Sequence, residues 1–401
     1  MHAVRAIATD VAMAIRPDVL PLARLHAIDD LADIGVAVRQ GLPHRRRERW
    51  RKRGKADESS DTVTYSPLAG QDAMRIEPLD STLGAVVRDV DLATIDDEAF
   101  HRIEAAWHEH AVLLFPSQHL SDADHISFTR RFGRLEMGLK RTAKVSRAVS
   151  RAEREERGPK AQKFRASGTS DAPARARERE GPPLARGAKL GRISNVDKDG
   201  KVVDANALQA RFQRGNQQWH SDSSYKRVGA KASVLAAHVV PDRGGETEWA
   251  DLRAAWDALD GAMQEWLSDK EAVHSYRFSH AWHGGLELLN DAELDHLPPV
   301  IHPLMRIHPA TGRPNLFVGR HASQIVGEDR EESRRLLRRL TTEAGQSPRT
   351  WRHRWQPGDI VIWDNRCVLH RGHPWPSDQA RVMARSTVAG EDADNEWAMA
   401  D

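Results

Sequence analysis

The chain has 401 residues, of which 39% are hydrophobic and 29% are charged, and its formal net charge is only +2. This length suffices for one large domain or two small ones, and the near-neutral balance excludes a strong overall preference for acidic or basic partners. The single cysteine, Cys367, can form neither an internal disulfide nor a thiolate metal site. We therefore expect a reducing, cytoplasmic setting. No stretch approaches the roughly 18 apolar residues of a membrane span, so no membrane partner is expected.

Residues 1–72 differ in character from the rest of the chain. The start is mildly apolar but carries Asp10 and Asp18, acids that signal and transit peptides lack, so we expect neither. The run at 43–61 is highly charged and without periodicity, which is typical of a poorly ordered, solvated extension. A basic patch for nucleic acid or a membrane surface is the alternative, but only Trp50 is interleaved there as a stacking residue.

The functional domain is predicted to span residues 73–392, with an acidic tail at 393–401. Its first segment, 74–92, predicts short strands with turns at Asp80 and Gly84.

Two helices flank a buried strand in the next part of the chain. Asp96 is the candidate cap of the first helix, whose apolar side chains recur at helical spacing, namely Phe100, Ile103 and Trp107. The apolar run 111–115 then predicts the strand. Ser121 caps the second helix with Asp124 three residues on, and Gly133 is predicted to end it.

Residues 139–187 form a second biased stretch, rich in Arg, Lys, Ala and Ser and almost without large apolar side chains. Such a composition cannot bury a core, so we predict a disordered insertion. An active-site lid is the open alternative, because long loops inside a domain often have that role.

Strands and turns dominate the C-terminal half. Residues 192–203 predict a hairpin around Asp199 and Gly200, and helices are predicted at 251–269 and 328–344. Mostly strands with a few covering helices favour a mainly β domain, a β-sandwich or a jelly roll (a double-stranded β-helix).

Three separated residues are candidate metal ligands. In a strand, His220 and Asp222 would project from the same face, and His370 follows an apolar run that Gly358 and Asp359 introduce by a turn. Two histidines and one carboxylate form the facial triad that holds non-haem Fe(II). By spacing alone His370 could equally be a core histidine and Asp222 part of a turn, and zinc accepts the same donors.

Two arginines favour the iron interpretation. Arg381 and Arg385 are separated by an even number of residues, so both fall on one face of a returning strand. A 2-oxoglutarate cosubstrate carries a far carboxylate that needs a cation, and the planar guanidinium binds carboxylates in a bidentate manner.

With these residues in place, the chain from about 74 to 390 resembles the taurine dioxygenase family. Within it, the similarity is greatest to 2,4-dichlorophenoxyacetate and related aryloxyalkanoate dioxygenases. The matching stretches are WHSDSSY, GGETEWADLRAAWDAL, HPLMRIHPATGRPNLFVGRHAS and GDIVIWDNRCVLHRG. The 139–187 stretch is longer and more basic than in relatives, which leaves the substrate open, and residues 1–72 have no family counterpart.

The resemblance implies an enzyme that uses Fe(II), 2-oxoglutarate and O₂. The residues that match the iron ligands are His220, Asp222 and His370. Thr247 and Arg381 match the pair that binds the far carboxylate of 2-oxoglutarate, and Arg385 matches an arginine that faces the cosubstrate and the substrate anion. Trp363 and Asn216 occupy positions near the site in relatives, although Trp363 could equally be core.

The implied reaction is hydroxylation of a small organic anion, with cleavage of an ether, C–S or O–S bond where the product collapses. An aryloxyalkanoate-like substrate is favoured, and a taurine or alkyl sulfate type is the alternative.

Relatives often form dimers or tetramers, so a homo-oligomer is expected. A non-catalytic jelly-roll module that binds nucleic acid through the basic runs is a more distant alternative. A zinc hydrolase would leave Thr247 and the arginine pair without a role.

Overall fold

A computed structural model describes most of the predicted functional domain. The residues it describes are 74–137, 190–197, 199–203, 215–283, 286 and 294–392. The predictions for residues 1–72, 139–187 and 393–401 therefore lie outside the described residues.

The described residues are mainly β, as the sequence predicts. The strands are β1 (Arg75–Pro78), β2 (Ala85–Arg88), β3 (Val112–Phe115), β4 (Gly191–Ser194), β5 (Ala232–Val239), β6 (Thr247–Asp251), β7 (Glu271–His274), β8 (Val300–Pro303), β9 (Met305–Ile307), β10 (Pro314–Leu316), β11 (Ala322–Ile325), β12 (Thr350–His353), β13 (Ile360–Asp364), β14 (Val368–Gly372) and β15 (Val382–Val388). The helices are α1 (Asp97–His110), α2 (Asp122–Arg130), α3 (Leu252–Asp257), α4 (Gly261–Leu267), α5 (Tyr276–His283) and α6 (Arg330–Ala344). None of these helices is long and apolar enough to cross a membrane.

Two sheets build the frame of the site. The major sheet has seven strands in the order β1-β2-β3-β13-β5-β15-β4, and its pairs are antiparallel except for β2 with β3. The minor sheet has three antiparallel strands in the order β12-β6-β14. Two smaller sheets, β11-β7-β8 and β10-β9, complete the described strands.

The alternation of side chains along the major strands explains how these layers pack. One face, which includes Phe115 and Ile362, packs against Trp107 of α1 and Phe128 of α2 in one apolar cluster. Successive strand residues point to opposite faces of a sheet. The residues of β3 and β13 that alternate with this first set therefore belong to a second cluster, which also contains residues of the minor sheet. The members of this second cluster include Val112, Val361, Trp363, Trp249 and Val368. The core beside the candidate site is therefore the layer between the two sheets.

The predicted short strands after residue 74 and the first two helices are confirmed. β1 pairs with β2, and Gly84 precedes β2 with φ +95°, a conformation that glycine adopts without a Cβ clash. The Asp96 side chain caps α1 by accepting from the Ala99 amide, and Ser121 caps α2 in the same way. α2 ends at Arg130, so the chain leaves the helix before the predicted stop at Gly133.

The prediction of one helix over 251–269 is wrong, because the segment forms two helices, each of which begins at its own aspartate cap. Asp251 ends β6, and its carboxylate accepts from the Arg253 amide (2.9 Å) to begin α3. The chain leaves α3, and Asp260 accepts from the Met263 amide (2.8 Å) to begin α4. A carboxylate that caps a helix satisfies amides that have no partner within the helix, so each aspartate favours a new start over continuation.

Two later elements agree with the sequence. α6 begins after Asp329, which caps it through the amides of Glu331 and Glu332. The hairpin at 192–203 turns at Gly200, which has φ +79°, and Val196 bridges to Val202 across it.

Buried histidines predict a pH-dependent stability of the metal-free protein. Burial lowers the pKa of His125 and of His302 to about 4 each. Between pH 6.5 and 4 the unfolded chain therefore binds more protons than the folded one, so stability falls as pH decreases through this window. We expect the free energy of unfolding by urea to drop by about 2 kcal/mol per histidine from pH 7 to pH 5. The variant His125→Gln/His302→Gln should show a flatter profile, and an equally steep one would contradict this cause.

Candidate active site

The segment with His220 and Asp222 is a bridge followed by a turn, so the predicted strand is wrong. His220 and His370 exchange backbone hydrogen bonds of 3.0 and 2.8 Å as an isolated antiparallel bridge. The chain then turns at Asp222, because Ser223 takes a left-handed conformation with φ +58°. The side chains of His220 and Asp222 nevertheless converge, because the turn brings Asp222 back toward the bridge between His220 and His370.

His370 reaches the same place from the opposite direction. The apolar run that precedes it is divided between the two sheets, since β13 belongs to the major sheet and β14 to the minor sheet. The predicted turn into this run is confirmed at Gly358, which has φ +89°. On β14, His370 pairs with Trp249, and its ring centroid lies 4.1 Å from that of His220.

Three neighbours hold the Asp222 carboxylate and backbone. Ser233 Oγ donates to Oδ2 (2.7 Å), Arg385 donates to Oδ1 (3.0 Å), and the Asp222 amide donates to Asn365 Oδ1 (3.2 Å). His370 Nε2 lies 3.7 Å from Oδ2. The candidate ligand atoms of His220, Asp222 and His370 all lie within 4.8 Å of one another.

The protonation states of the triad suit metal binding. Burial lowers the pKa of His220 well below its ordinary value, and it lowers the pKa of His370 to about 4 even though Asp222 opposes this effect. For Asp222, burial works to raise the pKa, but Arg385 and the two imidazoles outweigh it and hold the pKa below its ordinary value. At neutral pH the site therefore offers two neutral imidazoles and one carboxylate, the states that bind a metal ion.

The hydrogen bonds of the imidazoles fit a metal in the space between them. His220 Nδ1 lies 2.7 Å from the Gln218 carbonyl, so a neutral ring donates there and leaves the Nε2 lone pair free. His370 Nδ1 is buried and finds no hydrogen-bond partner among the described residues. Two nitrogens and one carboxylate oxygen match the facial triad of non-haem Fe(II), although zinc accepts the same donors.

A pocket adjoins the triad, and about 590 Å³ of space, part of it open to solvent, lies within it. It brings together every predicted site residue except Asp222. The residues that line it are Ile193, Asn216, Gln217, His220, Leu235, Thr247, Trp363, His370, Gly372, His373, Trp375, Arg381 and Arg385. Segments that lie more than 150 residues apart in the chain thus share one cavity.

One wall of the pocket is suited to a carboxylate. Arg381 is 6% exposed, its Nε donates to the Gly245 carbonyl (3.2 Å), and its guanidinium lies 5.1 Å from the ring of Trp375. Burial lowers the pKa of Arg381 to about 10, so it stays charged at neutral pH. Among the described residues, no carboxylate lies within ion-pair distance of it. Thr247 Oγ1 accepts from the Trp355 indole (3.0 Å), which leaves its own hydroxyl proton free to donate.

The other predicted residues also face this cavity. Arg385 lines it, but its guanidinium is bonded to Asp222. Trp363 is both core and pocket wall, since it is 1% exposed and its ring lies 4.7 Å from that of His370. Asn216 lines the pocket, and its carbonyl accepts from the Gly372 amide (2.8 Å).

Sequence reasoning missed a second cation near the triad. Arg320 is half-buried, its amide donates to the Trp219 carbonyl (2.9 Å), and its charge lowers the pKa of both triad imidazoles. No carboxylate of the described chain lies within ion-pair distance of Arg320. Its surroundings are aromatic, because its Nε donates to His321 Nε2 (3.2 Å), and Tyr225 and Tyr276 are close enough to oppose the lowering of its pKa by burial. The ring centroids of these two tyrosines lie 4.4 Å apart. The motif GRHAS contains this arginine, but only the fold brings it beside the tyrosines.

A second group of possible ligands, formed by His308, Asp364 and Cys367, does not fit a metal ion. Arg366 binds both oxygens of Asp364 (2.8 and 2.6 Å), and His308 Nε2 lies 3.0 Å from Oδ2. The Thr311 amide donates to His308 Nδ1 (3.2 Å). Burial raises the pKa of the Cys367 thiol well above its ordinary value, so no thiolate is available. This group is a satisfied network at the β13–β14 turn.

Comparison with known proteins identifies the relatives of this arrangement. The chain is 38% identical over 328 residues to an "(S)-phenoxypropionate/alpha-ketoglutarate-dioxygenase" of Sphingobium herbicidovorans, which covers 80% of this chain and 96% of that protein. It is 37% identical to an "Alpha-ketoglutarate-dependent 2,4-dichlorophenoxyacetate dioxygenase" of Cupriavidus pinatubonensis, over 78% of this chain and 96% of the relative. It is also 32% identical to an "Alkylsulfatase" of Acinetobacter baylyi, over 43% of this chain and 56% of the relative.

A solved structure agrees with these relatives. The crystal structure of AAD-2 in complex with Mn(II) and N-oxalylglycine superposes with a TM-score of 0.64 at 31% identity, covering 79% of this chain and 99% of that chain. The sequence profile of the "Taurine catabolism dioxygenase TauD, TfdA family" matches residues 75–387. This match spans both sheets, the triad and the pocket, and the chain belongs to that family.

Proposed function

We propose that the protein hydroxylates a small organic anion with an apolar or aromatic tail, and that aryloxyalkanoates are its favoured substrate class. As a member of its family it is an Fe(II)- and 2-oxoglutarate-dependent dioxygenase. The observation that carries the proposal is one pocket in which a buried His₂–Asp triad adjoins a buried arginine, Arg381, that has no ion-pair partner among the described residues.

The triad is the proposed iron site. His220, Asp222 and His370 would hold Fe(II), which supplies O₂ activation coupled to the oxidative decarboxylation of 2-oxoglutarate. The protein's own part is to aim these donors. Gln218 fixes the His220 tautomer, and Ser233 and Arg385 orient the Asp222 carboxylate.

Arg381 and Thr247 are the proposed site of the 2-oxoglutarate far carboxylate. A buried guanidinium without a counter-ion in the described chain is costly unless an anion occupies the site. The Thr247 hydroxyl adds a hydrogen bond to the same anion, because the Trp355 indole already occupies one of its acceptor positions. The dicarboxylate in the AAD-2 structure supports this assignment by similarity.

Arg320 is the proposed partner of the substrate anion. Arg385 is already bonded to Asp222, so its predicted role toward the substrate is better filled by a cation that has no carboxylate partner within the described part of the chain. The aromatic rings of Tyr225 and Tyr276 beside Arg320 offer an apolar wall for an aryl tail. The names of the relatives, which refer to phenoxypropionate and 2,4-dichlorophenoxyacetate, support a carboxylate with such a tail.

The overall reaction balances with these parts. Substrate C–H, O₂ and 2-oxoglutarate give C–OH, succinate and CO₂. If the hydroxylated carbon carries an ether oxygen, the hemiacetal collapses to a carbonyl compound and the released phenol. A sulfate ester of an alkyl alcohol would break down by the same logic. The alkylsulfatase relative favours this second candidate, since a guanidinium also binds sulfate.

We also infer the wider organisation of the protein. The two sheets around the Trp249–Trp363 core are proposed to form a double-stranded β-helix, or jelly roll, within a catalytic domain at 73–392. The free buried thiol of Cys367 is compatible with a cytoplasmic location. A homodimer or homotetramer is proposed from the family resemblance, and the mass in solution would test it.

A substrate panel tests the proposal. Purified protein with Fe(II), O₂ and 2-oxoglutarate should form succinate fastest with an aryloxyalkanoate, compared with an alkyl sulfate, a sulfonate and the uncharged aryloxyalkanoate ester. Arg320→Met should raise KM for the best anion by about tenfold or more, since it removes a charge-assisted bond. KM for 2-oxoglutarate should stay within about threefold, because Arg381 is untouched.

The same panel can refute the proposal. Equal turnover of the acid and its ester would exclude recognition of the anion. Preference for the alkyl sulfate would select the second candidate. No succinate with any compound, in protein that binds Fe(II), would remove the proposed substrate classes.

A further inference from the structure

Glu136 connects the turn that carries Asp222 to the strand that carries Arg385. Its backbone N–H donates to the Thr387 carbonyl on β15 over 2.8 Å. The Glu136 backbone is therefore fixed to β15 two residues beyond Arg385, which itself binds the Asp222 carboxylate. The same two elements are thus joined twice, once through the candidate ligand and once through Glu136.

The Glu136 side chain holds both ends of the Asp222 turn. Oε1 accepts from Ser223 Oγ and from Lys226 Nζ, each over 2.7 Å. The Lys226 amide in turn donates to the Ser223 carbonyl (2.9 Å), which closes the turn. Ser223 has φ +58°, a conformation that is unfavourable for a non-glycine residue and persists only where its surroundings enforce it.

The pair also neutralises a charge that is close to the metal ligands. The side chains of Lys226 and Glu136 are only 4% and 8% exposed. Burial lowers the pKa of Lys226, and the charges of Glu136 and Asp222 oppose that effect. Without Glu136, the positive charge of Lys226 would lose the carboxylate that pairs with it at 2.7 Å, and it would compete more strongly with a metal ion for the charge of Asp222.

We propose that Glu136 is a positioning residue of the metal centre, which fixes the Asp222 turn against β15 and keeps the Asp222 carboxylate available by neutralising Lys226. This inference rests on the proposed function, because it takes the triad as the metal site. Among the described residues, the printed partners of the Glu136 side chain are Ser223 and Lys226 and not a triad residue, so its effect is expected on metal affinity and not on the chemistry of bound substrate.

Titration of the metal-free protein with Mn(II), followed by the electron paramagnetic resonance of free Mn(II), tests this role without turnover. Glu136→Gln should raise the Mn(II) Kd by about tenfold. This is the lower limit of the loss in metal affinity that is typical when a residue supporting a metal ligand is replaced. Glu136→Gln/Lys226→Met removes both charges, so its Kd should return to within about threefold of wild type. Glu328→Gln is the matched control, because it breaks an ion pair with Lys270 away from the triad and should leave the Kd unchanged.

The outcomes separate this inference from the proposed function. A Glu136→Gln Kd equal to that of wild type would overturn the role of Glu136 and leave the triad intact. An equal loss in the double variant would overturn the charge argument and the proposal with it. A wild type without a Mn(II) site would overturn the proposed function as well. If Glu136→Gln does not fold, Ser223→Ala decides, with a Kd about threefold higher supporting the role and an unchanged Kd refuting it.

Discussion

His220→Ala should abolish 2-oxoglutarate-dependent succinate formation. Without the His220 imidazole, the triad retains only two donors. The lost ring is the one whose metal-binding tautomer the Gln218 carbonyl fixes. The loss of several kcal/mol of metal-centred stabilisation corresponds to a rate decrease of at least about a thousandfold. The rate should be measured at saturating 2-oxoglutarate and substrate with excess Fe(II). The measured rate then reports both the weaker binding of the metal and the loss of the chemical step.

His373→Ala is the matched control for this variant. His373 lines the same pocket but bonds to Glu248 (2.9 Å), so it is not available as a fourth donor. We expect its activity to stay within about tenfold of wild type, because only a pocket-wall contact changes. Substantial residual activity in His220→Ala, or an equal loss in His373→Ala, would show that the triad is not the catalytic metal site.

Arg381→Gln should raise KM for 2-oxoglutarate strongly and lower kcat at saturation much less. Truncation of one partner in a buried, hydrogen-bonded charge pair costs about 2–5 kcal/mol, which corresponds to roughly 30- to 4,000-fold in KM. Arg381→Lys should recover only part of the loss, since an ammonium cannot form the bidentate bond that a guanidinium forms. Steady-state kinetics with varied 2-oxoglutarate would measure both effects.

The control for Arg381 is a cation that already has a counter-ion. Arg371 follows the candidate ligand His370, and its guanidinium is bonded to Glu248 (2.9 Å). Arg371→Gln should therefore change KM for 2-oxoglutarate by less than about tenfold. If Arg381→Gln raises KM no more than Arg371→Gln does, Arg381 is not the anchor of the far carboxylate.

Local signals predicted the elements whose ends are set by single residues. Asp96 and Ser121 mark helix starts because a side-chain oxygen satisfies a free amide, and Gly84 marks a turn because its φ suits glycine. The break between α3 and α4 was missed because the apolar periodicity continues across it, although Asp260 is a cap signal within the segment. Whether the chain starts a new helix at a capping residue or continues the first helix through it depends on tertiary packing. The periodicity of the apolar residues carries no information about that packing.

The residues of the candidate site were predictable where chemistry demands particular side chains, and not where their placement depends on how distant segments meet. The donors His220, Asp222 and His370 follow from the facial triad, but their convergence comes from a bridge and a left-handed turn instead of a strand. Arg320 and Glu136 gave no signal in the sequence. Each becomes informative only beside residues about 45 to 250 positions away that the fold places next to them.

Anaerobic absorption spectroscopy tests the central claim most directly. Metal-free protein is mixed with Fe(II) and then with 2-oxoglutarate, and the visible metal-to-ligand charge-transfer band is recorded for wild type, Asp222→Ala and Arg381→Gln. We expect a band in wild type that requires both additions, is absent in Asp222→Ala, and appears in Arg381→Gln only at much higher 2-oxoglutarate concentration. No band in wild-type protein that has bound Fe(II), or an undiminished band in Asp222→Ala, would contradict the central claim.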